Sequence, residues 1–304
     1  MRYIKYIVLI IICAFLISYI INHLDDFKLI ANIHLFYIPH IIIFIIIFNI
    51  LNSIQLKYLL QFYNIDIKIF DSFAITCISC FLNIILPMRG GAGYRAVYLK
   101  RNFGLNYSDF ILSFLSIYVV TFGIGAILSL FFFYPLLSTN NGILVKIFLI
   151  FTILGFLYLT LFNVKTSKFF PKFINKTICS WQKLNSNKLL MLKIYLITFI
   201  NYILIAVILF FEFNSFMPNL VSLVESFYYS IFSVFSLFVS ITPGSLGIRE
   251  VFLMYCSTLL DIKPIYSINV SIIDRILGFL TLFFLSAFFV LFYNKKFSLR
   301  LKNN

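Results

Sequence analysis

The sequence predicts an all-α, polytopic integral membrane protein of about six full spans plus two re-entrant, broken helical hairpins. Three observations carry that prediction. Hydrophobic residues fill 62% of the 304 positions and charged residues only 11%, with a mean hydropathy of +1.04; a soluble domain is about half apolar and a quarter charged. The apolar material runs along the whole chain in stretches near the roughly 20 residues that cross a hydrocarbon layer. Twice, a shorter apolar stretch ends in proline, glycines and arginine: "LPMRGGAGYR" (86–95) and "ITPGSLGIRE" (241–250).

The elements follow in order. A first span covers about 3–21; Arg2 and Lys5 give it the look of a signal peptide, but its apolar run exceeds an h-region and further runs follow. After a loop carrying Asp25 and Asp26 comes a second span, 41–58, then a short apolar stretch, 72–86, ending at Pro87. A long span over 109–136, the uncharged turn "STNNG" and a span over 143–162 come next. The lysine-rich, amphipathic stretch 165–188 precedes a span over 190–211. A short apolar stretch, 226–241, leads to the second broken motif, and 265–293 forms the last span.

The net charge of +14 is not spread as a nucleic-acid surface. It gathers in Lys165, Lys168, Lys172, Lys176, Lys183, Lys188 and Lys193, and again in Lys295, Lys296, Arg300 and Lys302. Loops that collect lysine and arginine mark the cytoplasmic face and its anionic lipids. With those loops and both termini cytoplasmic, the span count closes only if 71–102 and 225–261 each enter and leave on one side. The first hairpin then enters from the cytoplasm and the second from outside, and Asp25, Asp26, Glu212, Glu225 and Asp261 fall on or near the outer face. The halves 1–137 and 143–304 of this single transmembrane domain read as inverted repeats, since "DSFAITCISCFLNIILP" parallels "ESFYYSIFSVFSLFVSITP". Gly/Pro-interrupted helices at matching places in two halves point to a transport site.

In the first motif Pro87 ends a half-helix, Gly90, Gly91 and Gly93 permit bending and close approach, and a new helix starts near Gly93. In the second, Thr242 reads as an N-cap and Pro243 as the first helical residue, which places Arg249 about two turns in. Helix N-termini next to Arg89, Arg95 and Arg249 suit an anion, above all a phosphate. The alternative for Arg95, Lys100 and Arg101 is snorkelling to the cytoplasmic surface. Asp274 and Arg275 lie at mid-depth of the last span, where each charge costs about 2.5–3.5 kcal/mol. They either contact ligand or pair with the second motif, Asp274 with Arg249 or Arg275 with Glu250. Asn83, Tyr94, Tyr118 and Asn201 are further hydrogen-bonding candidates. Cys77 and Cys80 form a lone C-x-x-C in an apolar helix and read as small buried hydrophobes. His23, His34 and His40 cluster in or beside one early loop, so neither metal nor cofactor is expected. No catalytic constellation is visible, and the chain does not read as an enzyme.

These stretches, with "DRILGF" in the last span, resemble the lysylphosphatidylglycerol synthase transmembrane region family, also called flippase-like domain proteins. The resemblance covers essentially the whole chain, and P-G-x-L-G-x-R-E is its most specific part. It implies a polytopic domain that handles membrane lipids, without the soluble domain that attaches an amino acid in the longer synthases. Pro87, Arg89, Gly90, Gly91 and Arg95 match the first family motif; Pro243, Gly244, Gly247, Arg249 and Glu250 match the second; Arg275 matches the last-span arginine. The chain departs from many members at Ala92 and Gly93, where an acid precedes the arginine, and near Tyr118, where they carry an arginine. The expectation is a translocator in the cell membrane that moves an anionic phospholipid or lipid-linked intermediate between leaflets. Arg89, Gly90, Gly91, Arg95, Gly244, Arg249, Glu250, Asp274 and Arg275 would contact the substrate. The alternative is a membrane accessory subunit of a glycosyltransferase or envelope-assembly enzyme.

Overall fold

The computed structural model describes residues 33–132, 172–239 and 242–293, with helical positions also at 146, 150 and 153–154. The span expected at 3–21, most of that at 143–162 and the basic tail lie outside the described residues. Every regular element among the described residues is helical.

Helices α1 (Tyr37–Phe62), α4 (Tyr107–Phe132), α6 (Lys188–Phe216) and α9 (Pro264–Phe288) are long and apolar enough to cross a membrane. They are hydrophobic around most of their circumference, the pattern of a helix that meets protein on one side and lipid on the other. Ile43, Phe131, Leu196 and Phe284 accordingly point outward from the bundle. Helices α1 and α6 run past both ends of the predicted spans 41–58 and 190–211, and polar residues within them, such as Asn49, Gln55 and Asn201, lie in buried helix–helix contacts. Gln55 donates to Thr198 Oγ1 at 3.3 Å, and Asn201 donates to Asn52 Oδ1 at 3.1 Å, so Asn201 joins α6 to α1.

Four shorter helices form two pairs: α2 (Ile69–Ile85) with α3 (Gly90–Phe103), and α7 (Leu223–Phe235) with α8 (Ile248–Leu259). A separate helix, α5 (Lys172–Ser186), presents Lys183 outward and buries Trp181 and Leu184 against the bundle. Local chemistry sets the ends. Leu86, preceding Pro87, is extended with ψ 138, which stops α2. Gly104 takes a left-handed φ of 71 and closes α3. Ser222 and Glu225 form a reciprocal cap that starts α7, and Pro264 opens α9 in its first turn.

The packing is as follows. Helix α1 lies along α6; α2 packs on α1 and α3, and α7 on α6 and α8. In addition, α2 rests on α9 while α7 rests on α4, and the turns that break each pair, Pro87–Arg89 and Pro243–Ser245, touch one another. The main core lies between α4, α6, α7 and α8, around Leu209, Phe213, Tyr229 and Ile231.

Gly91 is the tightest point of the first pair. A Cβ built there would stand 1.9 Å from the backbone oxygen of Ser79 and 2.8 Å from the backbone nitrogen of Asn83. Ser79 Oγ donates to Gly91 O at 2.8 Å, and Ala92 N donates to Asn83 Oδ1 at 3.1 Å, so α2 and α3 meet backbone to backbone. At Gly93, two positions further on, an added Cβ would have nothing within 4 Å. Gly91→Ala should therefore lower stability by about 1–3 kcal/mol through forced separation of the two helices. Gly93→Ala should be neutral or stabilising by up to about 1 kcal/mol. Thermal unfolding of the two variants in detergent, followed by intrinsic fluorescence, measures the contrast.

Candidate functional site

The first broken turn is strained. Met88 and Arg89 have φ of 52 and 54, a left-handed conformation that side chains adopt at a cost of order 1 kcal/mol or more. The strain turns the Arg89 side chain back across the bundle. Its Nη2 donates to the carbonyl of Leu237 at 3.2 Å, in the turn Ser236–Val239 that follows α7. The guanidinium also lies 5.0 Å from the ring centroid of Tyr118 on α4, a favourable stacking of cation on aromatic face. Arg89 thus links the first broken pair to the second. Helix α3 starts at Gly90 rather than near Gly93, because the chain regains right-handed φ and ψ as soon as Arg89 is passed.

The second turn is built differently from its sequence reading. Thr242 does not cap a helix beginning at Pro243: its Oγ1 donates to Leu246 O at 2.8 Å, within a short turn over Pro243–Ser245. Gly244, Ser245 and Gly247 all have positive φ, so the helix is delayed to Ile248. Arg249 and Glu250 therefore sit in the first turn of α8, not two turns in. Gly244 matters for space as well as for its φ of 55, since an added Cβ would come within 3.2 Å of Arg275 Nη1.

Two ion pairs fasten this turn to α9. Arg249 Nη1 binds Asp274 Oδ2, and Arg249 Nε donates to Ser233 Oγ at 2.9 Å. Arg275 places Nη2 at 2.6 Å and Nε at 2.9 Å from Glu250 Oε1, and its Nη1 donates to Gly244 O at 2.8 Å. Glu250 is further satisfied by Ser271 Oγ at 2.7 Å and by the backbone N–H of Gly247 at 2.8 Å. Asp274 and Arg275 are neighbours in a helix and point about 100° apart, so each takes a different partner. The structure forms both pairings that the sequence set beside ligand contact. The arginine and aspartate of the first pair keep 18% and 20% of their side-chain surface exposed, against 7% for Glu250. Arg275 keeps 19%, so the two arginines are equally exposed and only Glu250 is sealed in.

The helix N-termini, expected to present free donors to a ligand, are partly occupied. At α8 the Gly247 N–H goes to Glu250, and at α3 the Ala92 N–H goes to Asn83. Any anion bound here must be held mainly by guanidinium groups.

The sequence-predicted residues divide in space. Arg89, Gly244, Arg249, Glu250, Asp274 and Arg275 gather where the two broken turns meet, while Gly90 and Gly91 shape the first turn and its packing. Arg95 points elsewhere: it lines a small cavity with Tyr63, Ser113 and Phe110, between α1, α3 and α4. Its Nε is buried without a hydrogen-bond partner among the described residues, and its guanidinium lies beside Cys80. Cys80 is thus in polar contact, whereas Cys77 is fully buried in apolar packing. Lys100 does extend to the exterior, with Nζ 4.2 Å from the Tyr107 ring centroid. Tyr94 stacks on Tyr98.

Sequence reasoning misses Glu212. It puts the residue at or near the outer face, but the side chain is wholly buried beside Asp274 and Arg249. The one signal is an acid at the very end of an apolar span rather than well beyond it. Ser233 and Ser271 are missed as well; serine in an apolar helix carries no distinguishing sequence mark.

A family model described as lysylphosphatidylglycerol synthase TM region matches residues 4–286, and the chain belongs to that family. No curated protein and no solved structure gives a significant match.

The Glu250–Arg275 pair supplies a stability test. Glu250→Gln leaves Arg275 buried against a neutral partner and should cost about 3–5 kcal/mol, while the double variant Glu250→Gln/Arg275→Gln should recover part of that loss. A double-mutant cycle on thermal unfolding reads the coupling; additive losses would show that the pair contributes nothing as a pair.

Proposed function

We propose that, as a member of the lysylphosphatidylglycerol synthase TM region family, this multi-pass membrane protein moves anionic lipids between leaflets. The observation that carries the reading is the meeting of two Pro/Gly-broken turns, lined by Arg89 and Arg249, inside an otherwise apolar bundle. Broken helices are tolerated at membrane depth where protein or a watery cavity satisfies the freed backbone groups. Here Arg89 and Arg275 do so, through Leu237 O and Gly244 O. Groups that already satisfy oxygen lone pairs can exchange a carbonyl for a phosphate oxygen with little net change in hydrogen bonding.

In this reading each broken pair is re-entrant, the first from the cytoplasm and the second from outside, and the chain has about six full spans. The packing pattern supports a repeat of two halves, and the inverted sense follows from an odd number of full spans in each half. If α1 corresponds to α6, α2 to α7, α3 to α8 and α4 to α9, the contact of α2 with α9 has its counterpart in that of α7 with α4. Likewise α1 on α9 mirrors α6 on α4, and the two turns meet each other at the centre of the relation. Two halves so arranged can rock about a shared site and expose it to one leaflet at a time. The headgroup passes between the turns while the acyl chains stay in lipid, so no covalent step is required and no catalytic group is assigned. Lysine-bearing α5, with both termini, faces the cytoplasm of the cell membrane.

Fluorescent lipids in proteoliposomes test the proposal through their accessibility to a membrane-impermeant quencher. Anionic phosphatidylglycerol should equilibrate between leaflets faster than in protein-free vesicles and faster than a neutral analogue. Arg89→Ala, which removes a charge-assisted contact, should slow it roughly tenfold. Equal rates for every lipid, or no effect of the substitution, would overturn the reading.

A further inference from the structure

We infer that Glu212 and Asp274 share one exchangeable proton, and that this proton sets whether Arg249 is free to hold an anion. The inference rests on the reading of Arg249 as an anion-binding group and adds to it what gates that binding.

Glu212 is fully buried in α6, and neither of its carboxyl oxygens receives a hydrogen bond from an N–H or O–H group among the described residues. Helices α6 and α9 pack together here through Ile208, Phe211, Ile273 and Leu277, which sets the Glu212 carboxyl beside that of Asp274, with Arg249 near both. The groups around it can be counted. Helix α8 contributes Arg249 and Glu250, α9 contributes Asp274 and Arg275, and α7 contributes the Ser233 hydroxyl. From α1, His40 stacks on Phe211 next to Glu212 but turns its Nδ1 to Phe36 O, 3.0 Å away. Arg249 is matched by Asp274 and Arg275 by Glu250, and the third arginine of the junction, Arg89, turns to Leu237 O and the Tyr118 ring rather than to Glu212. An ionised Glu212 would be a third carboxylate with no cation of its own, facing another carboxylate in a dry interior. Two carboxyls so placed hold one proton between them, since both cannot ionise.

The surroundings also give the proton a route. Asp274 and Arg249 retain 20% and 18% exposure, while Glu212 has none. The proton moves within the pair: the O–H bond of Glu212 breaks as the facing Asp274 oxygen takes the proton, and one carboxyl stays neutral throughout. On return the path reverses. While the proton rests on Asp274, that carboxyl is neutral and its hold on Arg249 is weakened; Ser233 still steadies the guanidinium through Nε, and Nη1 turns to an incoming phosphate oxygen. When the proton returns to Glu212, the Asp274 carboxylate reclaims Arg249 and expels the anion. The anion and a proton on Asp274 therefore favour each other, a reciprocal linkage.

Purified protein in detergent with short-chain phosphatidylglycerol as the probe tests this in unbuffered solution with a pH-indicator dye. The expected result is lipid binding with no net proton exchange in the wild type, because the proton only moves within the pair, and uptake of about one proton per lipid in Glu212→Gln, where Asp274 has to take its proton from water. Infrared spectra should show a protonated-carboxyl band in the wild type that E212Q removes; should E212Q fail to accumulate, E212D should shift the band instead. Net proton uptake in the wild type, lipid binding without uptake in E212Q, or no protonated-carboxyl band would each overturn the inference. Lipid movement in vesicles without the band sinks the proton pair and leaves translocation standing. The band together with proton uptake confined to E212Q, but no lipid movement in vesicles, supports the pair and sinks translocation.

Discussion

Charge buried in a membrane must be answered on the spot, and that constraint organises this protein. Lipid offers nothing to solvate an arginine at mid-span, so Arg275 takes Glu250, and Arg249 takes Asp274, each supplemented by backbone or serine oxygens. Because one member of each pair lies in the first turn of α8 and the other on α9, the pairs fix where the second broken turn sits. That turn in turn abuts the first through Pro243–Ser245 and Pro87–Arg89. Removing the ion pairs would release the turn whose position depends on them.

The two breaks solve one problem by different means. A helix interrupted at depth leaves carbonyls without partners, and each must find a donor. In the first break, strained left-handed backbone at Met88 and Arg89 sends the guanidinium across to Leu237 O, joining the pairs. In the second, glycine supplies two of the three left-handed positions at little strain, and a distant arginine comes to the carbonyl of Gly244. Arginine suits both tasks because its forked donors can hold a carboxylate and a carbonyl together. Those same donors make the junction receptive to a phosphate, which ties the packing to the proposed lipid traffic.

Arg95 and Glu212 show how far the chemistry extends beyond the junction. Arg95 is four residues from Gly91 along α3, yet faces a cavity with Tyr63 and Ser113, away from the broken turns. Its Nε remains without a hydrogen bond there among the described residues. Glu212, from a helix that reads as a plain span, enters the charged cluster beside an Arg249 already paired with Asp274.

Much of this is legible in one dimension. Apolar length and composition alone determine that the chain lies in lipid as helices, since nothing else in so apolar a chain satisfies its backbone there. The Pro/Gly breaks name the turns, because proline and glycine act locally. The charges at 249, 250, 274 and 275 announce a buried cluster, because no isolated charge survives at that depth. Only the tertiary structure decided the partners: that Arg249 meets Asp274 and Arg275 meets Glu250, that Arg95 turns away, and that Glu212 turns in. It also moved the start of α8 from Pro243 to Ile248, since three positive-φ residues follow the proline and only the contacts of the turn select them. Pairing depends on which faces of separate helices meet, and a residue's position along its own helix does not contain that information.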